Sequence, residues 1–412
     1  MKNNQIFSNS PNLYDGNKPN PYIYRDGNKI ETGFIPVKTG YAGYIPSNEY
    51  DLDAPVTLTS TFNISYTIWG DKGEIILLEP GVPSNKESEY IEIQRKLSPF
   101  FRTVSIDMLG MGMSDKPLDY GKEEDLKYGL HYRSTDEKAW EWKNDIDYVD
   151  QVMMSLFPNE KFTYLASDWA GGIAVHYAAK YNDRLNALIL LDPIAFDGYP
   201  VNEIQAIGRT ASILDDDQFM MAMGAADQTF VQIFKTMVHN PDKVWNQYTL
   251  RTIMKTYIDV DYERNKNGEN ATSMTMRLKY NNLRVLADRS AILSPSLLLP
   301  IEENEKGVNY KNITVPTLVI WGAQDNMMPP NQAYRYLWAM PNSKVEIQMV
   351  ENAGHFVELD QPERVSEIII NFIARELGRD KLADIFLGYT GIWKVYEYIM
   401  INVLIHLYIK YI

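Results

Sequence analysis

Residues 165–172 read Leu-Ala-Ser-Asp-Trp-Ala-Gly-Gly, and they put a carboxylate where a strand should become a helix. Upstream, Lys161 to Ala166 is apolar, aromatic and β-branched, the composition of a short buried strand. Downstream, Gly172 to Lys180 has helical spacing, with Ile173, Tyr177 and Lys180 on one side. Almost no loop separates the two, so Asp168 falls on a sharp corner. Ala166 and Ala170 flank it at two positions' distance, with Gly171 and Gly172 just beyond. Two readings fit this stretch. In one, Asp168 is an ordinary helix N-cap whose carboxylate accepts backbone N–H bonds. In the other, it is a nucleophile on a strained strand-to-helix elbow of the G-x-S-x-G type, with both flanking glycines replaced by alanine.

Composition narrows the classes. The 412 residues suffice for one large α/β domain with an insertion, or for two or three domains. Hydrophobic residues at 45% and charged residues at 23% describe a globule with material for a large core. A net charge of −14 argues against a nucleic-acid partner. With no cysteine, there is no disulfide framework, thiolate metal site or cysteine nucleophile, and a reducing cytoplasmic setting is expected. The five histidines lack ligand spacing, so no metal and no cofactor are expected.

Along the chain, residues 1–50 are rich in Asn, Tyr, Gly and Pro and read as an extended leader, with a strand around Thr32–Lys38. From residue 51, strands alternate with helices. Strand-like segments lie within 56–69, 74–79 and 103–107, a helix is predicted around 87–97, and a longer one over 136–156. The strand and helix around Asp168 follow, then a strand over 185–191. This alternation predicts a mostly parallel sheet flanked by helices. Residues 193–312 break the pattern: they are Met- and Tyr-rich, mostly helical in spacing, and read as an inserted helical domain. Strands return at 315–321 and 345–350, and an amphipathic helix closes at 363–377. The sheet domain thus comprises 51–192 and 313–377. Residues 378–412 form an apolar C-terminal segment; 392–412 carries Lys394, Glu397, His406 and Lys410, and reads as a packed terminal helix rather than a membrane anchor.

Three further stretches bear on Asp168. In Thr317–Pro330, a buried strand ends at Gly322 and Asp325 follows in the loop. In Val350–Val365, a strand end leads to Gly354-His355 and then a helix. Ile106–Pro117 is a glycine-rich turn, IDMLGMGMSDKP. The order Asp168, Asp325, His355 is the nucleophile, acid, histidine order of the α/β-hydrolase fold. All three follow the carboxyl ends of predicted parallel strands, where open α/β sheets bind ligands.

From about Glu74 to Leu377 the chain resembles an α/β-hydrolase of the haloalkane dehalogenase and epoxide hydrolase group. PGVP, DMLGMGMSDKP, SDWAGG, WGAQD and AGHF carry the resemblance, in that group's order and spacing. The insertion at 193–312 corresponds to the group's helical cap. Two departures stand out: Pro80 precedes Gly81 where the group usually has His, and the second residue after the nucleophile, usually Gly in the group, is Ala170. Proline fixes backbone geometry beside the expected donors.

The chemistry explains the residue types. An aspartate is ionised at neutral pH, its reference pKa being about 3.9. It can attack saturated carbon directly, displacing a halide or opening an epoxide, and form a covalent ester. His355 then activates water, Asp325 holds the imidazole, and the backbone N–H groups of Val82 and Trp169 form the oxyanion hole. Asp192, at the end of the 185–191 strand, is a rival acid; Asp325 is preferred because its loop matches the commoner site. Ser167 and Ser114 are alternative nucleophiles without the symmetrical small flanks of Asp168.

The indole of Trp169 suits a departing halide, and Trp245, the one tryptophan of the insertion, is a candidate second donor in place of the apolar Val82. For an epoxide, Tyr248, Tyr257, Tyr262 and Tyr280 are candidate proton donors. The expected partners are a small apolar organic substrate and water. The leading expectation is dehalogenase-like hydrolysis, with epoxide hydrolysis as the alternative and a non-catalytic ligand-binding protein on the same fold as the reading from another class.

Overall fold

The computed structural model describes residues 23–25, 28–38, 42–43, 56–57, 61–82, 84–109, 111–114, 142–194, 196, 234–245, 298–305 and 307–378. The stretch read as a leader contributes strands β1 (Ile23–Arg25) and β2 (Asn28–Lys38), the second longer than the expected 32–38. A two-residue ribbon pairs β3 (Ala42–Gly43) with β4 (Val56–Thr57). β5 (Thr61–Trp69), β6 (Ile75–Glu79), β7 (Arg102–Ile106), β8 (Phe162–Ser167), β9 (Leu185–Leu191), β10 (Thr317–Gly322) and β11 (Val345–Val350) follow. Among the described residues these build one nine-stranded sheet in the order β1-β2-β5-β7-β6-β8-β9-β10-β11. β1, β2 and β5 run antiparallel to their neighbours, and the six strands from β7 to β11 are parallel.

The apolar runs have no polar alternation because both sheet faces are covered. Leu77, Tyr164, Leu188, Leu190, Val319 and Trp321 belong to one buried cluster; their neighbours Ile76, Leu78, Leu165, Ile189, Leu191, Leu318 and Ile320 belong to the other. The first face is roofed by α2 (Trp142–Leu156) and α3 (Asp168–Lys180), through Ile146, Val149, Ile173 and Tyr177. Residues 136–141 of the helix predicted over 136–156 lie outside the described residues. The second face is roofed by α1 (Lys86–Leu97) and a long C-terminal helix. Short helices α4 (Pro241–Val244), α5 (Tyr336–Ala339) and α6 (Val357–Asp360) precede that helix, α7 (Pro362–Leu377), whose Ile369 and Phe372 meet Ile93 and Leu97 of α1 in the second cluster. Of the inserted region, 234–245, 298–305 and 307–312 are described, and they hold α4 and a short 3₁₀ turn at Tyr310–Asn312. Tyr248, Tyr257, Tyr262, Tyr280 and the segment 378–412, apart from Gly378, lie outside the described residues. No helix among the described residues is long and apolar enough to cross a membrane.

The glycine-rich turn after β7 has a structural task. Asp107, fully buried, takes Lys86 Nζ at 2.6 Å, the Lys86 backbone N–H at 2.8 Å and the Met113 N–H at 2.9 Å. Lys86 Nζ also donates to Ser65 Oγ at 2.6 Å. The pair fixes the first turn of α1, whose N-cap Asn85 accepts from the Glu87 and Ser88 N–H groups. Removing one partner of a buried ion pair strands the other charge. Lys86→Ala is therefore expected to destabilise the fold by about 3 kcal/mol, read as a lower urea midpoint with an unchanged slope; a shift within error would show that the backbone N–H groups alone satisfy Asp107.

Candidate active site

The corner at Asp168 is left-handed. Asp168 is the first residue of α3 with φ 44°, and the N-cap is Ser167, which makes no side-chain cap bond. The N-cap reading of Asp168 is thus set aside by its own backbone. A non-glycine residue in this region stores strain of order 1–3 kcal/mol, held here by its surroundings. The Asp168 carbonyl accepts the Ile194 N–H at 2.9 Å, tying the corner to the chain after β9. Gly171 and Gly172 allow close approach: a Cβ would lie 2.5 Å from Pro193 Cβ at the first and 2.7 Å from the Trp142 ring at the second.

The corner delivers the carboxylate to two different partners. Oδ2 accepts the Val82 N–H at 2.9 Å, and Oδ1 lies 3.5 Å from His355 Nε2. Gly81 has to be glycine for this, since a Cβ there would sit 2.4 Å from Asp168 Cβ. His355 Nδ1 meets Asp325 Oδ2 at 3.0 Å, while Asp325 Oδ1 accepts the Met327 and Met328 N–H groups at 2.7 and 2.9 Å. Asp325 is thereby fixed by its own loop and aims its free oxygen at the imidazole. Burial alone would push the His355 imidazolium down, but the charge of Asp325 and the bonds from Asp168 and Asp325 outweigh it. The net direction is well above the usual histidine value.

Asp168, Asp325 and His355 are therefore brought together. Asp192 is not bonded to His355: it sits fully buried at φ 39°, with Oδ1 accepting the Gly322 N–H at 2.7 Å. Burial, helped by the Asp325 charge, pushes its carboxyl well above the ordinary range. Neither alternative serine is placed as a nucleophile. Ser114 Oγ donates to the Asp107 carbonyl and accepts from the Ser65 N–H, and Ser167 Oγ is buried in a network described below.

Trp169 is buried, and its Nε1 has no partner among the described residues. Trp142 packs edge-on against it at 5.7 Å, its own Nε1 likewise without a described partner. Trp245 does not fill the role considered for it. Its Nε1 donates to the Phe234 carbonyl at 2.6 Å, and its ring packs on Phe356, so its one donor is already used. Among the described residues, no group of three or more acids and histidines is arranged to hold a metal.

Two acids behind the site escape sequence reasoning. Glu89 on α1 is 1% exposed and hydrogen-bonds both Ser84 and Ser167. Glu358 on α6 is fully buried, and burial together with the Glu89 charge pushes its carboxyl well above the ordinary range. For Glu89 a signal existed: it lies four residues before Ile93, beside the stripe of Lys86, Tyr90, Ile93 and Leu97 that α1 buries.

Comparison with known proteins places this geometry in context. A cis-3-alkyl-4-alkyloxetan-2-one decarboxylase of Shewanella oneidensis is 24% identical over 304 residues, covering 73% of this chain and 82% of that protein. Epoxide hydrolase 3 of Xenopus tropicalis is 22% identical over 329 residues, covering 77% of this chain and 76% of its own. The solved haloalkane dehalogenase DatA of Agrobacterium tumefaciens C58 superposes with a TM-score of 0.54 at 17% identity, over 76% of this chain and 94% of that one. The family profile described as the alpha/beta hydrolase fold matches residues 74–362. That span holds the elbow, the Asp325 loop and His355, and the chain belongs to the alpha/beta hydrolase fold family.

Proposed function

We propose that this chain is a hydrolase that uses Asp168 as a carbon nucleophile, forms a covalent ester and hydrolyses it with water activated by His355, acting on small alkyl halides in the manner of a haloalkane dehalogenase. One observation carries the reading: the two oxygens of Asp168 are differentiated, Oδ2 on the Val82 N–H and Oδ1 toward His355. Oδ1 attacks the carbon bearing the leaving group, the carbon–halogen bond breaks with its electron pair, and halide departs. The ester then has Oδ2 as its carbonyl oxygen, already in the place where negative charge develops when water adds. A donor aimed at such an oxyanion is worth about 3–4 kcal/mol.

Ester formation also prepares the base. Asp168 loses its charge, and with it two of the influences that hold His355 protonated, so the imidazolium releases its proton to solvent. Neutral His355 takes a proton from water, hydroxide adds to Cγ, and the Cγ–Oδ1 bond breaks. The alcohol takes the proton from His355; the new carboxyl of Asp168 returns one to the imidazole. The sum is alkyl halide plus water giving alcohol, halide and a proton. Trp169 Nε1 is the donor proposed for the departing halide.

A second reading, epoxide hydrolysis, is favoured by the donors available. Val82 offers no side-chain donor and the Trp245 indole is engaged, which leaves the packed Trp169 and Trp142 indoles, neither with a described partner, as the side-chain donors considered for a halide. A strained C–O ring needs no halide cradle, only a proton on its opening oxygen. The similarity to an epoxide hydrolase and to an oxetanone decarboxylase supports strained cyclic electrophiles as competitors.

Single-turnover reaction with 1-bromohexane in H₂¹⁸O separates these readings from inert binding. The expected outcome is label in the peptide bearing Asp168 and none in the first-turnover alcohol, with an alkyl adduct accumulating on Asp168 in His355→Gln. Trp169→Phe is expected to slow bromide release by about 1.5–3 kcal/mol of barrier. Diol from an epoxide without bromide from any bromoalkane transfers the site to the second reading, and no adduct from either class leaves only ligand binding.

His355 also predicts a pH signature in stability. Its folded-state pKa is raised above the unfolded value of about 6.5, so its contribution is fully present below that pH and is lost as pH rises through the folded value. The stability advantage of wild type over His355→Gln is thus expected to be larger at about pH 6 than at about pH 9.5 in urea titrations. A constant difference would show that His355 is not held charged between the two carboxylates.

A further inference from the structure

The oxyanion donor has a support of its own. The Val82 N–H and the Gly81 C=O belong to one planar peptide, so fixing the carbonyl aims the N–H. The Gly81 carbonyl accepts the Ser84 N–H at 3.2 Å and the Ser84 hydroxyl at 3.1 Å. The preceding N–H, that of Gly81, donates to Ser167 Oγ at 3.1 Å, and Tyr90 OH donates to the same oxygen at 2.9 Å. Both serine hydroxyls also contact the Glu89 carboxyl, Ser84 at Oε2 and Ser167 at Oε1. Glu89 thus stands at the base of a clamp that grips the Gly81–Val82 segment from both sides.

Counting hydrogens shows what a neutral Glu89 adds. Each serine hydroxyl has one hydrogen and an ionised carboxylate has none. If Glu89 is ionised, Ser84 must spend its hydrogen on the carboxylate, and the Gly81 carbonyl keeps only the Ser84 N–H. If Glu89 is neutral, its proton goes to Ser84 Oγ, the Ser84 hydrogen goes to the Gly81 carbonyl, and Ser167 still donates to Oε1. Every contact of Ser84, Ser167 and Glu89 is then satisfied, in an unbroken chain from Glu89 through Ser84 to the peptide whose N–H meets Asp168; Tyr90 gives its one hydrogen to Ser167 rather than to the Glu79 carbonyl 3.2 Å away. Such a chain polarises its last donor.

We propose that Glu89 is a positioning residue which, as the neutral acid, locks the Gly81–Val82 peptide through Ser84 and Ser167 and so sets the strength of the oxyanion donor. The proposal deepens the assignment of Asp168 as nucleophile and rests on it for its kinetic consequence. The surroundings agree. Burial, helped by the Asp168 charge, outweighs the bonds to Ser167 and Ser84 and the opposing His355, and the Glu89 carboxyl stands raised to about 7. The other charged or titratable neighbours are Tyr90 on α1 itself and Glu358 on α6. Toward β6 stands Glu79; toward β7 stands Asp107, neutralised by Lys86; toward α7, the Lys96–Glu363 pair lies at the exposed rim.

Glutamine mimics the neutral acid, its amide donating to Ser84 and its carbonyl accepting from Ser167, whereas alanine removes the clamp. Ester breakdown after alkylation by 1-bromohexane, followed by quenched mass spectrometry of the Asp168 peptide, is compared for wild type, Glu89→Gln and Glu89→Ala across neutral pH. Glu89→Gln is expected to match wild type near pH 6 and to exceed it by about tenfold near pH 8.5, the scale of one hydrogen bond. Glu89→Ala is expected to be at least about tenfold slower at both. Parallel profiles for wild type and Glu89→Gln, or unimpaired breakdown in Glu89→Ala, overturn the proposal. If 1-bromohexane does not alkylate the protein, the functional reading fails, but amide exchange in 81–84, corrected for intrinsic rate, still decides the clamp. Protection in wild type should fall as pH rises past neutrality and persist in Glu89→Gln; equal protection in all three proteins at every pH overturns it.

Discussion

The Asp168 carboxylate is held by one short contact, Oδ2 on the Val82 N–H at 2.9 Å, and much of the molecule is arranged so that this contact can exist. It requires a left-handed corner on one side and a glycine without a Cβ on the other. The corner is strained for any residue but glycine, so it persists only because the rest of the fold over-determines it. β8 and α3 fix its two arms, the Ile194 N–H holds its carbonyl, and Gly171 lets Pro193 close against it. The facing loop is fixed as firmly. Lys86 and Asp107 pin the start of α1 and so the end of the loop that begins after β6.

Charge in the site is arranged in a line. Asp325 is immobilised by two backbone N–H groups, His355 lies between it and Asp168, and the imidazolium is stabilised by both. Behind the line, Asp192, Glu89 and Glu358 are all buried and all pushed toward the neutral acid. Several carboxyls close to one another in low dielectric cannot all ionise. The upward shift of these three acids favours keeping their protons, which lessens the negative charge packed behind the Asp168–His355–Asp325 line.

How far the sequence alone carried the reading depended on whether a signal was local. The parallel strands were legible because burial on both faces leaves continuous apolar runs such as Leu185–Leu191. The corner was legible because strand and helix periodicities meet with no residues between them. The nine strands were not all legible: β2 was seen only in part and β1 not at all, since a polar, Tyr- and Asn-rich segment gives no period and is placed by pairing with β5. Asp325 and Asp192 could be ranked but not separated by sequence, because the choice rests on which carboxylate reaches His355. Trp245 was misjudged, since a sequence gives the presence of an indole and not the carbonyl of Phe234 that occupies it. Glu89 was hidden in a helix whose charged composition reads as solvated surface, although its spacing from Ile93 placed it by the buried stripe.

The antiparallel strands at the start of the chain have a consequence for how the protein can be cut. The family match begins at residue 74, yet β5 pairs with β7 over Tyr66–Trp69, and Ile30–Lys38 of β2 pairs with the whole of β5. A fragment trimmed to 74–362 would leave the β7 margin bare and would also lose the rest of α7, with Ile369 and Phe372 from the second cluster. Unpaired strand margins recruit other chains. The boundaries that matter for handling this domain are therefore those of its hydrogen-bonded sheet and its last covering helix, and they lie well outside the segment in which its kinship is written.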